Sequence, residues 1–220
     1  IAAATRERRS ALEAIAKGIR ARGVATRCVV RWHYPAHVAI TAIAMEARAD
    51  LLVSESHRTG KLGRWILANT DWELIRKCPS PLWFARSGTL PETLRILVAV
   101  DPRHTHDQPA ELDERLLRTA SMMQRELHGN VSVVHAYEAP VSAVPGLIME
   151  PVRLPLSPRR ARDVVAQTVQ QVAHLAALHH IPAADCYVRE GETGEVIETV
   201  VDLCNADVLM MGAVSRSLPR

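Results

Sequence analysis

Two stretches of this sequence are repeated, and the repeat restricts the chain to folds built from two related domains. Residues Arg48–Arg58 recur as Asn205–Ser215 at an offset of 157, and Cys28–Arg31 recurs as Cys186–Arg189 at an offset of 158. A repeat of this length has the size of a whole α/β domain and is too long for a solenoid unit. Differences between the two copies are therefore informative about function.

The order of the predicted elements indicates an α/β fold with two tandem, doubly wound, Rossmann-like parallel sheets, over residues 1–88 and 94–220. Apolar runs such as Leu94–Val100 alternate with helical stretches, which is typical of parallel sheets covered on both faces. We also predict a strand over Val24–Trp32, a Pro-rich loop over Glu138–Pro158 and a helix over Glu195–Cys204.

Both domains are expected to be incomplete in this chain. By the offset of the repeat, the counterpart of Leu94–Val100 would precede Ile1, and the counterpart of the predicted strand Leu82–Ala85 would follow Arg220. The first domain would then lack its first strands, and the second would lack its last helix and strand. Strands without neighbours leave open sheet edges, which are unfavourable in an isolated domain.

Composition argues against several classes of function. The net charge is only +3, and no block of Lys and Arg is long enough to indicate nucleic-acid binding. No apolar run approaches the roughly 18 residues that a membrane span needs, so we expect no membrane partner. The cysteines are isolated, which favours free thiols in the reducing cytoplasm over a disulfide framework: Cys28, Cys78, Cys186 and Cys204.

Five segments resemble the universal stress protein family: Ala49–Arg58, Thr70–Trp83, Leu94–Asp101, Glu190–Ile197 and Met211–Arg216. The resemblance extends over essentially the whole chain and implies the fold of that family, which is shared with the adenine nucleotide alpha hydrolases and has five parallel strands per domain. It further implies a tandem protein of the stress response, whose two halves pack as an internal pseudo-dimer and which can form further homo-oligomers.

Many members of the family bind ATP with an Asp after the first strand and a Gly-x2-Gly-x9-Gly-(Ser/Thr) loop after the fourth. Glycines let backbone N–H groups approach phosphate oxygens. In the first repeat these glycines are replaced by Glu55, Arg58 and Ala68. A carboxylate about 4 Å from a phosphate charge repels it by roughly 4 kcal/mol near a protein surface. We therefore expect no ATP in the first repeat.

The second repeat is closer to the ATP-binding pattern. Gly212 keeps the first glycine, whereas Ser215 replaces the second, and a left-handed non-glycine costs only about 1–2 kcal/mol. The third glycine would lie beyond Arg220, which leaves the motif undecided. The residues expected to bind the nucleotide are Ala99, Val100, Asp101, His135, Met211, Gly212, Ser215 and Arg216. Alternatively, Asp101 before Pro102 only begins a turn, and Gly212 only ends a strand.

Three hypotheses follow for the function. The first is a cytoplasmic tandem regulatory protein that acts by ligand-dependent binding, with ATP in the second domain as the cofactor. The second is a slow ATPase of that domain, and the third is a scaffold that binds another small ligand or none. We assign no catalytic residues. We also assign no metal site, because His104, His106 and Asp107 fit a solvated loop better than a metal centre.

Overall fold

In the computed structural model, helices connect the strands that pair in parallel, as parallel sheets require. The structure describes residues 2–55, 69–86, 88–103, 111–139, 141–144 and 152–213. The chain divides into unit 1, residues 1–87, and unit 2, residues 88–220. Within the described ranges, no helix combines the length and the apolar character that crossing a bilayer requires.

Unit 1 contains one pair of parallel strands among its described residues. Its elements are α1 (Ala2–Arg20), α2 (Ala36–Ala47), β1 (Leu52–Glu55), α3 (Asn69–Lys77) and β2 (Leu82–Ala85). β1 and β2 align in parallel from Leu52 opposite Leu82 to Glu55 opposite Ala85. The α3 helix lies between them in sequence, so the connection is a βαβ unit.

The described part of unit 1 buries little apolar surface. Its buried apolar side chains are Ala16, Ala39, Ala44 and Leu74. Ile15 on α1 is 64% exposed and Val53 on β1 is 58% exposed, although both have the apolar character of core residues. Hydrophobic burial contributes correspondingly little to the stability of these residues.

The predicted strand over Val24–Trp32 is wrong. Residues 24–33 form no strand, although the equivalent segment Cys186–Glu190 of unit 2 does. A strand is stable only beside a hydrogen-bonded neighbour. In unit 2 that neighbour is the strand Asn130–Tyr137. The described residues of unit 1 include no equivalent of it, so the β-branched composition of 24–32 is not sufficient.

Unit 2 contains a four-stranded parallel sheet, a two-stranded hairpin and three α-helices among its described residues. These elements are β3 (Arg95–Ala99), α4 (Leu112–Glu126), β4 (Asn130–Tyr137), β5 (Val141–Val144), β6 (Val152–Pro155), α5 (Pro158–Leu178), β7 (Cys186–Glu190), α6 (Thr193–Leu203) and β8 (Val208–Met210). A short 3₁₀ turn, Ala183–Asp185, precedes β7.

The parallel sheet has the strand order β7-β4-β3-β8. From β3 the chain moves outward through β4 to β7, and it then returns to place β8 on the opposite side of β3. Val98 lies opposite Val133 of β4 and opposite Met210 of β8. The order therefore reverses between β3 and β8, and in open α/β sheets ligands bind at the carboxyl ends of the strands beside such a reversal.

The two faces of this sheet carry separate apolar cores. Ile96 and Val98 of β3 pack on one face with Leu117 of α4 and Val172 of α5. On the other face Leu97, between them in sequence, packs with residues of α6. Alternate residues of β3 thus point into different cores, and the sheet is doubly wound as predicted.

A charged contact joins β8 to β3 at the amino ends of the two strands. Ligands of open α/β sheets bind at the opposite, carboxyl ends. The Arg95 backbone N–H and its Nε both donate to Oδ2 of Asp207 at 2.9 Å. Nη2 of Arg95 donates to Oδ1 of Asp207 at 2.8 Å. These hydrogen bonds hold the pKa of Asp207 below its ordinary value. They join residues that are far apart in sequence and so stabilise the register of the two strands.

The Pro-rich segment predicted as a loop over Glu138–Pro158 contains structure. β5 and β6 form an antiparallel hairpin in which Val141 lies opposite Pro155. Pro155 is the last residue of its strand, where the missing N–H is tolerated. The segment lies between β4 and α5 and does not interrupt the parallel sheet.

Candidate functional site

The carboxyl end of β3 places a buried carboxylate at the reversal of strand order. The Val100 N–H donates to the carbonyl oxygen of Val134 at 3.0 Å and so continues the pairing with β4. The next residue, Asp101, is 8% exposed, and its backbone N–H donates to Oδ2 of Asp113 at 3.0 Å. Asp113 is itself 3% exposed on the first turn of α4. This hydrogen bond holds the backbone that carries Asp101.

The carboxyl half of β4 places a buried imidazole next to that backbone. His135 is 4% exposed, and its Nδ1 lies 2.9 Å from the carbonyl oxygen of Val100. A carbonyl oxygen can only accept, so Nδ1 carries the hydrogen of this bond. The contact ties the carboxyl end of β3 to the side chain of the neighbouring strand.

The turn from β7 into α6 forms another wall. Gly191 has φ 147°, and a Cβ there would lie 2.9 Å from Cγ2 of Val196, so only glycine fits. The Glu192 side chain caps α6 by accepting from the Glu195 N–H at 2.9 Å. Hydrogen bonds from the backbone N–H groups of Gly194 and Glu195 hold the pKa of Glu192 below its ordinary value. The protein's own carboxylate therefore already occupies the start of α6.

These elements enclose a groove at the carboxyl edge of the sheet. Its lining includes Met211 and Gly212, which follow β8, and Thr193 and Ile197, which lie on the first two turns of α6. The lining residues are Ala99, Val100, Asp101, Val134, His135, Ala136, Thr193, Ile197, Met211 and Gly212. The cavity volume of about 80 Å³ is well below the roughly 300–1,000 Å³ of ligand pockets. The described residues thus form only part of any nucleotide-sized site.

The structure brings together every predicted binding residue that it describes. Ala99, Val100, Asp101, His135, Met211 and Gly212 all line the groove. Ser215 and Arg216 lie outside the described residues, as do His104, His106 and Asp107. Among the residues described, no group of three or more His, Cys, Asp or Glu side chains could hold a metal ion.

Sequence reasoning missed four lining residues: Val134, Ala136, Thr193 and Ile197. Val134 and Ala136 flank His135 on β4 and are apolar. Thr193 was missed because the sequence places the start of the helix two residues later, at Glu195, whereas α6 begins at Thr193. The signal that could have found it is the Gly191 turn, since the residue after a strand and a glycine often begins the next helix at the ligand-binding edge.

The equivalent position in unit 1 carries a different residue. The repeat aligns Gly212 with Glu55, which is the last residue of β1 and is exposed. Arg58 and Ala68, which replace the other glycines of the motif, lie outside the described residues. The end of this strand therefore presents a carboxylate in unit 1 and no side chain in unit 2.

Several relatives share this sequence pattern. The chain is 28% identical to universal stress protein E of Escherichia coli K12 over 197 residues, which are 89% of this chain and 61% of that protein. It is 25% identical to universal stress protein E of Photorhabdus laumondii over 201 residues, which are 89% of this chain and 62% of that protein. The chain thus spans about three fifths of the length of these curated relatives.

Solved structures with low sequence identity share the fold. A universal stress protein from Pseudomonas aeruginosa UCBPP-PA14 matches with a TM-score of 0.75 and 19% identity, covering 95% of this chain and 68% of that one. A universal stress protein from Archaeoglobus fulgidus matches with a TM-score of 0.65 and 15% identity, covering 97% and 67%. These matches confirm the predicted tandem α/β fold.

Almost the whole chain matches the sequence pattern of one protein family. The model of the universal stress protein family matches residues 1–86 and again residues 93–220. The two matches correspond to the two copies of the repeat, and membership supports a role in the stress response. The chain belongs to the universal stress protein family and is a tandem member similar to universal stress protein E.

Proposed function

We propose that unit 2 binds an adenine nucleotide, with ATP as the first candidate, and that unit 1 does not. The chain would then act as a ligand-dependent regulatory protein of the stress response. One observation carries the proposal. The described residues that the sequence predicts to bind the nucleotide come from the ends of three strands, and they line a single groove where the strand order reverses. Open α/β sheets bind nucleotides at such places.

Electrostatics support one orientation of the ligand. The carboxylate of Asp101 disfavours a phosphate at the end of β3, and the carboxylate of Glu192 already caps the start of α6. Gly212 follows β8 and adds no side chain that would keep a phosphate from the backbone. We therefore place the nucleoside beside Asp101 and His135 and the phosphates towards Gly212.

Location and assembly belong to the same proposal. All four cysteines are free thiols, which suits the reducing cytoplasm. The internal pseudo-dimer and any further homo-oligomer are proposals from the family resemblance, and light scattering of the purified chain would measure the number of copies.

The slow ATPase is the alternative for unit 2. It predicts that the wild type releases phosphate from ATP faster than an Asp101→Ala variant does.

Release of bound nucleotide tests the proposal directly. The purified chain is denatured, and the supernatant is analysed by ion-exchange chromatography and mass spectrometry. We expect ATP or ADP from the wild type and none from Asp101→Ala. Asp50→Ala removes an exposed carboxylate of unit 1 and is the control that should retain nucleotide. A wild-type chain that releases no nucleotide and binds none in titration calorimetry would refute the proposal and favour the scaffold hypothesis.

A further inference from the structure

Carboxylates from elsewhere in unit 2 hold both ends of β3. At the amino end, the Arg95 N–H donates to Oδ2 of Asp207 at 2.9 Å. At the carboxyl end, the N–H of Asp101, two residues after the strand, donates to Oδ2 of Asp113 at 3.0 Å. Both acceptors are side chains, so neither bond belongs to the hydrogen-bond ladders of the sheet. Of the two bonds, the second lies beside the groove, because Asp101 lines it.

The structure places Asp113 where a carboxylate is costly to bury. Asp113 is 3% exposed on the first turn of α4, and Leu117, one turn later, is fully buried. Leu117 packs in the same core as Ile96 and Val98 of β3. A buried carboxylate is stable only where hydrogen bonds and favourable charges compensate for the lost water, and the Asp101 N–H and the amino end of α4 contribute to both. The core therefore fixes Asp113, and Asp113 fixes the backbone of Asp101.

We propose that Asp113 is a positioning residue of the groove, which sets the direction in which the chain leaves β3 and so the place of the Asp101 side chain. Asp113 is absent from the described residues that line the groove, so it acts through the Asp101 backbone and not by contact with a ligand. Without this acceptor, the N–H of a buried residue would have to turn towards water, and the Asp101 side chain would turn with it. The inference rests on the proposed function and goes beyond it by assigning a residue outside the groove.

Two substitutions separate the hydrogen bond from the volume of the side chain. Asp113→Leu removes the acceptor and keeps a side chain of similar size, whereas Asp113→Asn keeps an oxygen that can accept from the Asp101 N–H. We expect ATP to bind about tenfold more weakly to Asp113→Leu, as the loss of one hydrogen bond that orders the groove predicts. Asp113→Asn should bind ATP within about threefold of the wild type. Titration calorimetry measures both affinities.

The contact at the other end of β3 supplies the matched control. Asp207→Ala removes the carboxylate that holds the Arg95 N–H, so it should lower the unfolding midpoint and leave the affinity for ATP unchanged. A merely structural role of Asp113 would give Asp113→Leu the same behaviour as Asp207→Ala, with a lower midpoint and unchanged ATP affinity. That result would overturn the inference and leave the proposed function intact.

A further variant covers the case in which Asp113→Leu does not fold. Asp113→Glu keeps the charge but lengthens the side chain, so the Asp101 backbone must move to keep its bond. We expect ATP affinity to fall about fivefold and the Asp101 amide to exchange its hydrogen about tenfold faster than in the wild type and in Asp113→Asn. Wild-type ATP affinity in Asp113→Glu would also overturn the inference. A wild type that binds no ATP would overturn both the inference and the proposed function.

Discussion

β1 of unit 1 and β8 of unit 2 are the same strand of the repeat, seen with different neighbours. β8 pairs with β3, whereas β1 pairs with β2. The difference teaches that, among the described residues, the groove belongs to the unit that contains β3 and β4.

A second difference lies at the carboxyl end of this strand. Unit 2 has Gly212 in the groove, and unit 1 has the exposed carboxylate of Glu55 at the aligned position. A negative side chain opposes a phosphate, whereas a glycine admits it. The two units therefore differ in the charge at the proposed phosphate position.

The largest expected effect comes from giving unit 2 the residue of unit 1. Gly212→Glu places a carboxylate near the proposed phosphates, and a repulsion of roughly 4 kcal/mol weakens ATP binding about a thousandfold. Titration calorimetry with ATP measures the loss. Glu55→Gly is the matched control and should leave binding by the chain unchanged. ATP affinity in Gly212→Glu equal to that of the wild type would remove Gly212 from the site.

Unequal cores predict unequal losses of stability. Leu117 of α4 is fully buried, and Leu117→Ala should lower the free energy of unfolding of unit 2 by about 3 kcal/mol. Leu12 of α1 is 38% exposed, and Leu12→Ala should cost less than about 0.5 kcal/mol. Urea unfolding followed by circular dichroism compares the variants. Equal losses would mean that the exposed apolar face of α1 is covered in solution.

The contact between Arg95 and Asp207 is expected to stabilise unit 2 by less than the core does. Asp207→Ala removes three hydrogen bonds to Arg95 and should lower the unfolding midpoint by about 3 °C. The aligned residue of unit 1, Asp50, is exposed, and Asp50→Ala should leave the midpoint unchanged. Differential scanning fluorimetry measures both. The same shift in both variants would show that general charge effects, and not this contact, are responsible.

The smallest effect is the pH dependence of that contact. Because folding lowers the pKa of Asp207, its contribution is complete above the ordinary value of an unfolded aspartate, about 3.9. It is lost as the pH falls through the lower pKa of the folded state. The difference in midpoint between wild type and Asp207→Ala should therefore be constant near neutral pH and shrink below about pH 4. A difference that grows on acidification would contradict this assignment.

The elements of unit 2 could be predicted from the sequence because each apolar run has its neighbours within the unit. The strand Val24–Trp32 was predicted on the same composition and does not form, since strand propensity requires a partner strand. The hairpin of β5 and β6 was missed because its prolines are typical of loops. Local sequence reports propensity, whereas pairing depends on the rest of the sheet.

Predicting the groove relied on the resemblance of the chain to the universal stress protein family. Asp101 and Gly212 follow apolar strands, and the carboxyl ends of parallel strands meet at one edge. Thr193 was missed because the start of α6 depends on the Gly191 turn and the Glu192 cap, which shift the helix by two residues. The partnership of His135 with the Val100 carbonyl oxygen is a three-dimensional contact that no periodicity could indicate.

The stoichiometry of ATP binding tests the division between the two units most directly. Titration calorimetry of the purified chain, with the active protein concentration determined independently, gives the number of sites per chain. We predict one ATP per chain, with none bound by Asp101→Ala and one still bound by Glu55→Gly. Two ATP molecules per chain, or one that persists in Asp101→Ala, would contradict the assignment of the site to unit 2.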